Sequence, residues 1–136
     1  TLHAFVDWYQ VHACCAVSLE VPFASRLGYG GKVDYLGMVD GRSAVVDWKT
    51  QRTKPGKPFR WYDKWACQLA AYAYGLAQQS GTIWTGDLIS VAISSTEPGR
   101  LEHRCWKDPV RWWQAFEAAF AVWRGPLGRN YDPSWS

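Results

Sequence analysis

The sequence predicts an α/β fold in which a mixed central sheet, begun by an antiparallel three-stranded meander, is flanked by helices. Three observations carry that expectation. Val17, Leu19, Val21 and Phe23 alternate with more polar residues; an Asp40-Gly41 pair separates two apolar runs; and Trp65, Leu69, Tyr72 and Leu76 recur at spacings of four, three and four. With 136 residues, 48% hydrophobic and 20% charged, the chain suits a single domain over 1–136 built on one core. Because it begins at Thr1 rather than Met, a fragment of a longer parent is a further expectation.

The elements follow in order. Leu2, Phe5, Val6 and Tyr9 have helix-like spacing, so a helix is expected from Leu2 to about His12. From Ala16 the period changes to two, which gives the first strand, and Gly28, Gly30 and Gly31 mark a turn. Lys32–Val39 reads as the second strand and Ala44–Lys49 as the third, joined at Asp40-Gly41. A basic loop broken by Pro55, Gly56 and Pro58 leads to a long helix over about Tyr62–Gln79. Leu88–Ser94 and Leu101–Trp106 are short strands. Asp108 and Pro109, as N-cap and first helical residue, open a last helix to about Arg124. Trp112, Trp113, Phe116, Phe120 and Trp123 lie at helical spacing and are assigned to packing, as are Trp8 and Trp106.

Bulk properties exclude more than they identify. No stretch approaches the roughly 18 apolar residues of a membrane span, and no leader with a basic start is visible, so no membrane role is expected. The net charge of +3 names no partner. Cys14, Cys15, Cys67 and Cys105 show no zinc-like spacing and read as reduced thiols of a cytoplasmic type of environment, Cys67 and Cys105 acting as small apolar side chains.

The chemistry gathers on the third strand. Residues two apart on a strand share a face, so Asp47 and Lys49 emerge together while Val46 and Trp48 enter the opposite side. Across the hairpin Asp34 falls near the position opposite Asp47, where two carboxylates repel unless a cation lies between them. Glu20, on the first strand, is a third acid flanked by apolar residues. Hard cations such as Mg²⁺ take oxygen ligands of this kind, and three acids beside a lysine suit phosphodiester hydrolysis. Lys49 is placed to orient or deprotonate a water, or to hold a phosphate.

The runs Gly31-Lys-Val-Asp34-Tyr-Leu-Gly, Val46-Asp47-Trp-Lys49-Thr50 and Gln68-Leu-Ala-Ala-Tyr72 resemble the RecB-type branch of the PD-(D/E)XK nucleases. They are similar to phage exonucleases and to the mitochondrial genome maintenance exonuclease. The likeness covers about Leu19–Leu76, and its three parts occur in order. It implies a restriction-endonuclease-like core. It further implies Glu20, Asp34, Asp47 and the Trp48 backbone carbonyl as ligands of Mg²⁺ or Mn²⁺, and Lys49 as the catalytic lysine. Gln68 and Tyr72, one helical turn apart, would support the site and contact nucleic acid. Many relatives carry a histidine on an upstream helix, and neither His3 nor His12 matches that motif. Some members hold an iron–sulfur cluster on four cysteines, three of them after the core. Only Cys105 lies beyond Gln68, so none is expected here.

With that reading, Arg52, Lys54, Lys57 and Arg60 become phosphate contacts and Trp61 a stacking surface for bases. The resemblance thus implies a metal-dependent deoxyribonuclease, an exonuclease of recombination or repair type. Its substrate would be single-stranded DNA or duplex ends in the cytoplasm of a bacterial or phage-infected cell, with a helicase or recombination protein as a possible associate. A structure-specific or restriction-like endonuclease and a non-cleaving DNA-binding module are the alternatives.

Overall fold

The computed structural model describes residues 13–24 and 30–125, with side chains from Val33 to Trp123. The helix expected over Leu2–His12, with Trp8 and both histidines, lies outside the described residues. β1 (Ala13–Ala24), β2 (Gly30–Val39) and β3 (Arg42–Gln51) form the expected antiparallel meander. α1 (Asp63–Gln79) then carries the chain across the sheet to β4 (Asp87–Ser94), which pairs parallel with β3. β5 (Leu101–Cys105) is antiparallel to β4, and α2 (Pro109–Arg124) ends the described chain. The sheet is five-stranded, mixed, and ordered β1-β2-β3-β4-β5.

The β2–β3 hairpin closes on Asp40 and Gly41, at φ 49° and 79°, with Val39 facing Arg42. Two successive positive φ values make this a turn whose twist matches that of the strands it joins. β1 begins earlier than its alternation predicts. Register shifts between Ala13/Cys15 and Ala16/Ser18 interrupt the period of two and hide that segment from a pattern reading.

Two apolar clusters sandwich β3 and β4. On one face Val45 and Leu88 meet Trp65, Ala66, Leu69, Ala70, Tyr72 and Ala73 of α1, with Trp106 and Trp113 filling in. The alanines have no bulk to hold the helix off the sheet. On the other face Tyr35, Val39, Ala44, Val46, Ile89, Val91 and Ile93 pack together, with Trp48 against them. β4 is thus buried on both faces, which is why its sequence is a nearly continuous apolar run, interrupted by the buried Ser90, rather than an alternation.

Two expectations are corrected. Asp108 precedes α2 as foreseen but sits in the left-handed region (φ 53°, ψ 62°), and its side chain caps nothing. Cys105 is exposed rather than packed, because β5 is an edge strand; Cys67 is half-buried, and both are free thiols. Trp113 and Trp106 are buried as expected, whereas Trp112, Phe116, Phe120 and Trp123 are only partly so.

Candidate active site

The sheet forks where the acids sit. The β2–β3 ladder runs from the hairpin to the Tyr35–Val46 pair and goes no further. Beyond it, β2 stays with β1 through the Ala24–Gly30 pair, while β3 stays with β4 through Gln51–Ser94. One step past the last pair, Asp34 and Asp47 face each other across the opening. The Trp48 N–H, which a continued ladder would give to β2 backbone, donates instead to Asp34 Oδ2 at 2.9 Å. On a strand a residue's N–H and C=O leave the same edge, so the Trp48 carbonyl is also directed to the β2 side.

Asp47 and Lys49 share the face that α1 covers, with Lys49 Nζ 2.7 Å from Asp47 Oδ2. Both side chains are half-buried, so the pair is neither a solvated surface contact nor sealed in the core. The Asp34 and Asp47 carboxyls lie within hydrogen-bonding reach of each other. Burial first, then the Asp47 carboxyl as hydrogen-bond partner and as charge, push Asp34 up to about 7; the Trp48 N–H and the Lys49 ammonium pull the other way. At neutral pH the pair therefore resists carrying two negative charges unless a cation is present. A hard divalent cation meets that demand, since the donors gathered here are all oxygens.

Glu20 lies on β1 between Leu19, paired with Tyr35, and Val21, paired with Val33, so its backbone is level with Asp34. Its side chain lies outside the described residues. Among the described residues no group of three or more Asp, Glu, His or Cys comes together, so Asp34 and Asp47 are the acids whose side chains are seen to converge.

The loop after β3 is a built structure. Lys54-Pro55-Gly56-Lys57 closes with Lys57 N–H on Lys54 O at 3.1 Å, and Gly56 has φ 77°, as a turn with Pro then Gly at its centre requires. A second such turn, Glu97-Pro98-Gly99-Arg100, lies alongside it, with Gly99 at φ 82° and Arg100 N–H on Glu97 O at 3.2 Å. Arg100 ties the two together by donating to the carbonyls of Lys54 and Lys57 and to Glu97 Oε2. Thr53 adds its N–H to Thr96 Oγ1 at 2.9 Å, and its hydroxyl meets Ser94 and Glu97. The Thr53 hydroxyl and the Arg100 guanidinium hold the Glu97 carboxyl below its ordinary range. Gln51 and Arg60 close the loop's base with reciprocal bonds of 3.0 and 2.7 Å. Arg52, Lys54, Lys57 and Arg60 consequently project into solvent from a fixed backbone, while Phe59 is buried beneath the Arg100 guanidinium.

Trp61 is half-buried and packs edge-on against Trp65. On α1, Gln68 is exposed, whereas Tyr72 is buried in the core. Of that pair, Gln68 is the one whose side chain is open to solvent. Thr53, Glu97 and Arg100 were not singled out in the sequence. Pro55 and Gly56 marked the first turn, but the second was not foreseen and nothing local says that the two touch.

A crystal structure of SSO0001 is similar to this chain, with 18% identity and a TM-score of 0.49 over 88% of this chain and 54% of the other. The chain thus spans about half the length of that solved relative. No curated protein matches the sequence. The pattern of the PD-(D/E)XK nuclease superfamily matches residues 4–122, nearly the whole chain, and the chain belongs to that superfamily.

Proposed function

We propose that this chain is a metal-dependent deoxyribonuclease of the RecB-like branch, hydrolysing DNA phosphodiester bonds from an end as an exonuclease. The superfamily is one of nucleases that generally use divalent metals. The observation that carries the reading is the fork, which brings Asp34, Asp47 and Lys49 together beside the Trp48 peptide. Asp34, Asp47 and the Trp48 carbonyl would hold Mg²⁺ or Mn²⁺, with Glu20 on the adjoining strand as a further acid. When bound, the ion supplies Lewis-acid stabilisation of charge developing on the scissile phosphate.

The chain's own groups do the rest. Lys49 Nζ, 2.7 Å from Asp47 Oδ2, stands where it can donate to a phosphate oxygen or align the attacking water once the carboxylate is taken up by a cation. The exposed cations of the 52–60 loop leave the same strand end and neutralise backbone phosphates without reading sequence. A helicase or recombination protein supplying DNA ends fits this chemistry.

The test is cleavage of end-labelled linear and closed-circular DNA with Mg²⁺, Mn²⁺ or EDTA, for wild type, Asp47→Ala and Lys49→Ala. Metal-dependent shortening of linear DNA, lost by at least about a hundredfold in both variants, supports an exonuclease. Cutting of the closed circle would make it an endonuclease. Equal activity in EDTA, or in either variant, would overturn the assignment of the site.

A further inference from the structure

We propose that the nucleic-acid surface continues beyond the basic loop into a second groove at the β5–α2 corner. There Arg104, Lys107 and Arg111, with Trp112, hold a distal stretch of a polynucleotide strand. The inference extends the nuclease reading and rests on it for the identity of the ligand as DNA.

Sheet register makes the first link. Asp47 pairs with Ser90 on β4, and Ser90 pairs with Arg104 on β5. Directly paired residues project from the same face, so Arg104 lies on the face of the Asp47 carboxylate, two strand spacings or about 10 Å away. Arg104 is exposed on an edge strand yet fixed in direction, because its guanidinium lies 4.8 Å from the Trp61 ring and 5.4 Å from that of Trp106. Trp61 directly follows Arg60, the last cation of the basic loop. Arg104 therefore joins that loop to what lies beyond.

Beyond it is a groove of about 580 Å³ lined by Arg104, Lys107 and Arg111, with Asp108 the single acid on its wall. All three cations are exposed, so their charge is open to a ligand. The floor is aromatic and rigid. Trp106 and Trp112 meet edge to face at 5.5 Å, and Trp112 Nε1 donates to Lys107 O at 2.9 Å. Trp106 is pinned in turn by its Nε1 donating to the buried Ser90 hydroxyl at 2.9 Å. Three exposed cations beside the half-buried Trp112 indole, itself braced by the buried Trp106, match a single strand, whose phosphates need positive charge and whose bases need a π-surface.

The experiment is fluorescence anisotropy in EDTA with labelled oligo-dT of about 20 and about 5 nucleotides, lengths that bracket typical single-strand site sizes. The variant is Lys107→Gln/Arg111→Gln, two exposed positions whose change leaves the core alone, with an unchanged circular dichroism melt as the control. The expected result is roughly tenfold weaker binding of the long oligonucleotide. The slope of log K against log salt should fall by about 1.4, two phosphate contacts at about 0.7 each, with the short one unaffected. Unchanged affinity for the long oligonucleotide, or equal loss for both lengths, would overturn the groove while leaving the nuclease reading to its own cleavage assay. If wild type never cuts DNA but the length-dependent loss is seen, the groove stands and the nuclease reading goes. If instead the variant loses only its binding to anionic phospholipid vesicles, the groove is a membrane contact and the proposal fails.

Discussion

Replacing Asp34 by Asn should stabilise the metal-free protein at pH 8 and do nothing for it at pH 4. In the unfolded chain Asp34 titrates at its ordinary value of 3.8; in the fold it titrates at about 7. Below pH 4 both states carry the proton and the fold loses nothing. Between about pH 4 and 7 the unfolded chain gives up the proton first, so stability falls as pH rises through that window. The ceiling on the loss is about 4 kcal/mol, at about 1.4 kcal/mol per decade. Since the carboxyl is only half-buried and water screens it, about 2 kcal/mol is the better expectation. For a chain of this size that is roughly 5–10 °C in melting temperature. Asn keeps an oxygen for the Trp48 N–H and offers an amide hydrogen to Asp47, so the variant sheds the charge without losing the bonds. Thermal melts followed by intrinsic fluorescence, at pH 4, 6 and 8 with EDTA and then with Mg²⁺, measure it directly. The difference between wild type and variant isolates Asp34 from groups that titrate in both, such as Glu97. Mg²⁺ should raise the wild type at pH 8 and leave the variant nearly unchanged. Parallel pH curves for the two proteins would refute the reasoning.

Other consequences are simpler. Arg100→Gln should free the two Pro-Gly turns from each other, so that trypsin cuts after Arg52 and Arg60, at the two ends of that loop, severalfold faster while the melting temperature moves little. Trp106→Phe removes the donor to a fully buried Ser90 hydroxyl, an expected loss of about 2 kcal/mol in denaturant unfolding. Gly86→Ala would place a Cβ 2.5 Å from the Ser43 carbonyl oxygen and 2.5 Å from the Trp84 ring, which should lower stability by about 1–3 kcal/mol in the same assay.

What the sequence disclosed was whatever is local. The Asp40-Gly41 hairpin, the Asp47/Lys49 spacing on one strand face and the apolar stripe of α1 are written within a few residues of one another, and each holds in the structure. Residues far apart in the chain were another matter. Arg100 reaches the 54–57 turn across more than forty positions, and Arg104 joins the row of Asp47 only through β4. A strand read in isolation cannot show which partner it will take. The sequence also placed Asp108 at a helix start, where its type is favoured, but could not disclose that the backbone there turns left-handed and withdraws the cap.

The fork itself makes the last claim testable. Had the ladder continued, the Trp48 N–H would be given to the β2 backbone and not to the Asp34 carboxyl. Instead β3 keeps all its pairs with β4 from Ala44 to Gln51, so Asp47, Trp48 and Lys49 stand on a strand anchored from one side. The opening falls on the β2 side, where a carboxylate takes over the duty of a backbone carbonyl. The Trp48 amide should then depend on a side chain for its protection, whereas the Val46 amide, inside the ladder, should not. Leaving a part-buried amide donor without its acceptor costs about 1–3 kcal/mol, so Asp34→Ala should speed exchange at Trp48 by roughly 10–100-fold. Val46 should stay slow, and Asp34→Asn should retain most of the protection at Trp48. Residue-resolved hydrogen exchange decides it. If Trp48 stays as protected in the Ala variant as in wild type, its amide is held by the β2 backbone, the strands do not part there, and the opening assigned to the metal does not exist.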